Sequence, residues 1–200
     1  ENNGVTVVTK SGEKEVFDHI VIATHADEAL AILENPNPLE RRLLGAFKYS
    51  KSKVLLHSDE SLMPKRPGVW SSWNFLGSGP TGVNVTYWMN LLQSISNVQS
   101  YFVSVNPMWD PKPELTFQSF QYEHPLFDEE SWRAQKDLWK LQGNRNTWFC
   151  GSYFGYGFHE DALQSGLAVA EELGGERRPW KVKMESSRIF VTTKEKAASD

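Results

Sequence analysis

The stretch Thr147-Trp148-Phe149-Cys150-Gly151-Ser152-Tyr153-Phe154-Gly155-Tyr156-Gly157-Phe158-His159-Glu160-Asp161 runs from an apolar segment, through an aromatic turn broken by glycines, into sequence of helical period. The apolar part reads as a short strand. The helix reads from about Glu160 to Leu173, with Leu163, Leu167, Ala170 and Leu173 on one face and Gly174-Gly175 beyond its end, where glycine commonly closes a helix. A strand, a glycine turn and a helix in that order set several unpaired backbone N–H groups side by side at the helix start, and that end attracts negative charge. By itself the arrangement is more often plain packing than a binding site, so the stretch fixes a local architecture before it fixes a chemistry.

Upstream, Gly4 to Thr9 alternates polar and apolar, Lys10 to Glu13 has turn composition and Glu15-Val16-Phe17 resumes an extended pattern, which predicts a β-hairpin. Phe17 to Thr24 is a nearly continuous apolar run of the kind found in a parallel-type strand buried on both faces. Ala26 to Leu33 has helical spacing, Asn35-Pro36-Asn37-Pro38 breaks it, and Leu39 to Phe47 forms a second short helix. The texture then changes. Lys53–His57, Gly68–Leu76, Val83–Met89, Tyr101–Val105 and Leu115–Tyr122 are β-rich and divided by Gly and Pro, as in an antiparallel sheet. Glu129 to Leu141 returns to helical spacing, and Lys181 to Asp200 is polar and reads as a flexible tail. The class is therefore α+β.

Composition narrows the function. Two hundred residues at 40% hydrophobic content can bury a core. A net charge of -4 offers no footprint for nucleic acid or an anionic membrane, and no apolar run approaches the roughly 20 residues of a spanning helix. The single Cys150 cannot form an internal disulfide, which favours a cytoplasmic or other reducing intracellular compartment and makes Asn84-Val85-Thr86 an idle sequon. The five histidines and one cysteine show no metal-ligand spacing. Glu1 leads directly into strand-like sequence, as a truncated fragment would. Gly77-Ser78-Gly79-Pro80-Thr81-Gly82 spells the dinucleotide fingerprint literally, but Pro80 removes an amide donor and strand sequence follows where the motif needs a helix, so it reads as a hairpin loop.

The turn and helix from Gly151 to Gly166 resemble the C-terminal flavin-binding motif of the amine-oxidase-like superfamily, and more closely that of the predicted NAD/FAD-binding amine oxidoreductase group. Asp18-His19-Ile20-Val21-Ile22-Ala23-Thr24-His25-Ala26-Asp27, Val54-Leu55-Leu56-His57-Ser58-Asp59, Leu62-Met63-Pro64 and Trp70-Ser71-Ser72-Trp73-Asn74 are similar to the same group, so the resemblance spans about residues 5 to 180. It implies FAD as cofactor and a discontinuous FAD domain: residues 1–34 as its middle segment, 35–125 as an inserted substrate domain, 126–180 as its C-terminal segment and 181–200 as the tail. The glycine-fingerprint segment is missing on this reading, so the isolated chain is expected to bind FAD weakly or not at all. Gly151 and Ser152 match the glycine–acid step near the ribityl phosphate, with Ser in place of the usual acid. The resemblance also implies that Gly157 binds the cofactor; Glu160, Asp161 and Ala162 match the helix start near the flavin pyrimidine edge, and Ser165 with Gly166 matches the close-packed turn beneath it. Asp161 reads equally as a residue that complements the helix dipole.

Lys53 opens the first substrate-domain strand, where many amine oxidases place a lysine that holds a water against the flavin; the more ordinary reading is a solvated lysine beside Lys48 and Lys51. His159, beside the implied flavin edge, is the histidine best placed to carry a proton near neutral pH, with a structural hydrogen bond as the alternative. His25 either approaches the pyrophosphate or caps the next helix. His57 and Asp59 lack a visible third partner, and Cys150, at the end of a buried strand, reads as core rather than a flavin tether. Trp70, Trp73, Tyr87, Trp88 and Phe102 either line an apolar substrate cavity or form core. The implied function is an FAD-dependent oxidoreductase that takes a hydride equivalent from a C–H bond of a small amine or hydrophobic, acyl-type substrate. The alternatives are a flavin-dependent isomerase or desaturase, and a non-catalytic or partner-binding chain.

Overall fold

The computed structural model describes residues 4–79, 82–184 and 187–192. In chain order the elements are β1 (Val5–Val8), β2 (Lys14–Phe17), β3 (Ile20–Ile22), α1 (Ala26–Ile32), α2 (Pro38–Leu44), β4 (Lys48–His57), β5 (Trp73–Gly79), β6 (Gly82–Trp88), α3 (Met89–Leu92), β7 (Phe102–Val105), β8 (Thr116–Leu126), α4 (Glu129–Gln135), β9 (Thr147–Phe149) and α5 (His159–Glu172). They fall into two compact units, one of Glu1–Lys48 with Pro125–Asp200 and one of Tyr49–His124.

The first unit holds both ends of the chain. Its β1–β2 hairpin is antiparallel, Val5 facing Phe17 and Val8 facing Lys14. Strand β3 pairs in parallel with β9, Ile20 opposite Thr147 and Ile22 opposite Phe149, a pairing between segments more than a hundred residues apart. The parallel character read from the apolar run is observed. Burial on both faces holds for β9 but not for β3, where Val21 is 44% exposed. The core gathers Leu43, Leu44 and Phe47 from around α2, Leu138 and Leu141 from the turn after α4, and Phe149, Tyr153, Phe154 and Val169 from the β9–α5 region.

Helix α2 shows how the breaking sequence works. Asn37 accepts from the Glu40 N–H at 2.9 Å, Glu40 accepts from the Asn37 N–H at 2.7 Å, and Pro38 occupies the first helical position, where its missing donor costs nothing. Glu40 is buried, and its carboxylate takes both contacts from Arg145 Nη2, at 2.7 and 2.8 Å. The helix expected from Glu129 to Leu141 divides into α4 and a 3-10 turn at Leu138–Leu141. Within the stretch expected to be a flexible tail, Arg188 is bonded to Asp161 and Ile189 is buried; residues 193–200 lie outside the described set.

The second unit is a five-stranded sheet in the order β5-β6-β7-β4-β8, with β5–β6, β6–β7 and β7–β4 antiparallel. Gly79 faces Gly82 across β5–β6, so the literal fingerprint is a hairpin, with Pro80 and Thr81 outside the described residues. Strand alternation divides the aromatic residues. Trp70 packs edge-on against Trp88 and Phe102, ring centroids 5.4 and 5.8 Å apart, on the buried side, while Trp73 and Tyr87 meet at 5.9 Å on the other, where Trp73 and Phe75 are well exposed. Among the described residues, no helix is long and apolar enough to cross a membrane, and no three His, Cys, Asp or Glu side chains are placed to hold a metal ion.

Candidate functional site

The site is built where the β3–β9 ladder ends. Cys150 N–H donates to Ile22 O at 3.1 Å, and the chain then turns at Gly151, where a Cβ would lie 2.7 Å from the Tyr153 ring and 3.3 Å from Thr24 O. Only glycine fits. Ser152 O then accepts from both Gly155 and Gly157 N–H at 3.1 Å, which folds the aromatic turn back on itself. Gly157 has φ +90°, and a Cβ there would meet the Phe127 ring at 2.9 Å. Tyr153 and Phe154 are buried beneath the turn, Tyr153 edge-on to Phe47 at 5.3 Å and Phe154 edge-on to Trp139 at 6.2 Å. Buried Gln135 of α4 donates from Nε2 to Tyr153 O and Gly155 O, clamping the turn from the opposite side.

Ser165, fully buried nearly two turns into α5, ties the helix to Gly151. Its Oγ accepts from Gly151 N–H at 3.0 Å, and its own proton faces Ala162 O at 3.0 Å and Gly151 O at 3.2 Å. At the helix start, Asp161 accepts from the Phe158 N–H at 2.8 Å, the carboxylate-to-N-cap half of a capping arrangement. The same carboxylate, fully buried, receives Arg188 Nε at 2.6 Å and Nη2 at 3.3 Å. The N–H groups of His159 and Glu160 have no partner among the described residues, so the head of a 14-residue helix presents two free donors.

Gly151, Ser152, Gly157, His159, Glu160, Asp161, Ala162 and Ser165 are thus gathered in one turn and one helix head. Their roles differ. Gly151, Ser165 and Asp161 hold the geometry, and Asp161 takes the dipole-complementing role with its carboxylate already engaged. Glu160 is exposed and accepts from Gln164 Nε2 at 2.9 Å. His159 is exposed and makes no side-chain hydrogen bond among the described residues. Lys53 lies on β4 in the second unit, its Nζ 2.7 Å from both Asp110 carboxylate oxygens in an exposed ion pair. His25 is the N-cap residue of α1, its N–H bonded to Glu28 Oε2 at 3.1 Å. Cys150 is buried core, and burial pushes its thiol pKa up.

Two features were not visible in the sequence. Arg188 lies 27 residues beyond its carboxylate partner in a polar run without pattern. His57, read as lacking a third partner, is buried with Nε2 2.8 Å from Ser104 Oγ, which is 2.7 Å from Thr86 Oγ1. Because His57 Nδ1 accepts from the Asp59 N–H at 3.1 Å, the ring proton sits on Nε2 and donates to Ser104. Desolvation lowers the His57 pKa against the opposing pull of Asp59, which keeps the ring neutral. This three-strand polar chain, from β4 through β7 to β6, is a satisfied core network.

No family model matches the chain, and no curated protein is similar to it in sequence. The solved structures do match. The crystal structure of a CLA-producing fatty acid isomerase from P. acnes aligns over 86% of this chain and 45% of its own, with a TM-score of 0.57 and 14% identity. That of a reduced UDP-galactopyranose mutase aligns over 84% of this chain and 44% of its own, with a TM-score of 0.56 and 12% identity. The chain therefore spans under half the length of the proteins it matches. At such identities the likeness is one of fold alone: the chain shares the fold of a portion of these structures, whose proteins are FAD-dependent, amine-oxidase-like flavoenzymes.

Proposed function

We propose that this chain is the middle and C-terminal part of an FAD-dependent oxidoreductase, its substrate a small amine or hydrophobic, acyl-type molecule. The observation that carries the reading is the head of α5: two unpartnered N–H groups on a helix whose start is locked to a glycine turn, in a chain that shares its fold with flavoenzymes. Bound there, FAD would supply a two-electron acceptor for a hydride equivalent. The residues fit one part of that group, the electron-rich edge of a ring, which the His159 and Glu160 amides would meet as donors at the positive end of the helix dipole. Gly151 and Ser165 keep that end fixed, and Gly157 lets the turn pass close beneath it. His159, exposed beside the donors, is the side chain placed to hold or move a proton. In the second unit Trp70 packs against Trp88 and Phe102, while Trp73 and Phe75 are exposed.

The test is a titration of the 15N-labelled chain with FAD into the millimolar range, a regime that detects the weak binding expected when the ring edge alone is held. Selective shifts of the His159, Glu160 and Gly151 amide resonances support the reading. Uniform or absent shifts overturn it.

A further inference from the structure

A second cavity, of about 310 Å³, opens between α4, the Gly155–Tyr156 turn and the segment Ser187–Phe190. Its volume is at the lower end of the range of about 300–1,000 Å³ typical of small-ligand pockets. Trp132, Tyr156 and Phe190 line it, each about half exposed, with Trp132 and Tyr156 in an edge-to-face contact at 6.3 Å, and buried Ile189 behind them. Grouped exposed aromatic residues with a charged rim mark a binding surface more than a solvated one.

On the rim Arg133, Lys136 and Arg188 are cationic and Glu129 is anionic, and Asp161 and Glu160 also act on Arg188. Arg133 is paired with Glu129, which neutralises both, but Lys136 has no ion-pair partner among the described residues. Arg188 uses Nε and Nη2 on Asp161, which leaves Nη1 unengaged, and its guanidinium lies 5.1 Å from the Tyr156 ring centroid and 5.6 Å from that of Phe158. The walls are fixed to one another. Gln135 bonds α4 to the turn through Tyr153 O and Gly155 O, and Asp161 bonds the 187–190 segment to the head of α5. By contrast, the larger cleft of about 520 Å³ between α2 and α4 is lined by Arg42, Asp128, Glu130 and Asp137, whose charges are met by Lys48 and by each other.

We propose that the Trp132–Tyr156–Phe190 cavity is a binding site for a small aromatic carboxylate, its ring against Trp132 and Tyr156 and its carboxylate received by Lys136 Nζ and Arg188 Nη1. The proposal does not depend on the flavin reading. The experiment uses 2-naphthoate as probe, followed through tryptophan fluorescence and the amide resonances of residues 132–136 and 187–190, with 2-naphthol and 2-naphthylmethylammonium as neutral and cationic controls. Saturable binding of the carboxylate at least tenfold tighter than either control, weakened about tenfold or more by Lys136→Glu and by Trp132→Ala, is the expected result. Both substituted side chains are exposed, so the variants keep the fold, which their amide spectra verify. Equal binding of the three probes, binding unchanged in Lys136→Glu, or no binding into the millimolar range overturns the proposal.

Discussion

Replacing Arg188 with alanine tests the organisation of the α5 head directly. In the native chain the Asp161 carboxylate has no solvent exposure and is met by one backbone N–H and two guanidinium nitrogens. Removing the guanidinium leaves the charge buried with a single donor. Breaking a fully buried pair in this way costs about 3–5 kcal/mol. Arg188, however, is 31% exposed, so water enters the vacated space and restores part of the solvation, which brings the expected loss to about 2–3 kcal/mol. For a chain of this size that is a fall in melting temperature of roughly 4–12 °C. The assay is urea unfolding followed by tryptophan fluorescence, with Arg188→Ala, Asp161→Asn and the double variant compared. The double variant removes both charges and should recover most of the loss, because an amide needs less of its environment than a carboxylate does. An Arg188→Ala midpoint equivalent to within about 0.5 kcal/mol of the parent would refute the reasoning, since losses that small are typical of ordinary surface substitutions.

Two further outcomes follow from the geometry. Gly151→Ala sets a methyl group 2.7 Å from the buried Tyr153 ring, so overpacking should cost about 1–3 kcal/mol in thermal or urea unfolding; a change below about 0.5 kcal/mol would show that the turn yields. His57 is held neutral by burial, its folded pKa lying below the ordinary 6.5. Above that value neither state is protonated and the group contributes no pH dependence. As pH falls through and below it the unfolded chain takes up a proton that the folded chain refuses, and stability is lost until the depressed folded pKa is reached. Stability measured from pH 7.5 to 5 should therefore fall less steeply in His57→Gln than in the parent; parallel curves would contradict the buried, neutral ring.

How much of this was legible in the sequence depended on the range of the forces involved. The turn at Gly151 and helix α5 were readable because glycine at a crowded turn and apolar residues at helical spacing are local demands, and the hairpin at Gly77–Gly82 was readable because Pro80 and the strand sequence after it forbid a helix. The parallel pairing of β3 with β9 was readable as a type of strand, from the apolar run, but not as a pair, since nothing in either triplet names its partner. Alternation alone decided the aromatic residues. Trp88 and Phe102 share one side and Trp73 and Tyr87 the other, a division that follows from strand register and could not be made before β5, β6 and β7 were aligned. The charged contacts were the least legible: Glu40 with Arg145, and Asp161 with Arg188, join residues 105 and 27 positions apart, and the polar composition of residues 181–200 pointed to a tail precisely because a single arginine carries no periodic signal. What holds Arg188 against α5 is the carboxylate buried at the helix head, which also accepts from the Phe158 N–H: an acid there complements the helix dipole, and the guanidinium offsets the cost of burying its charge.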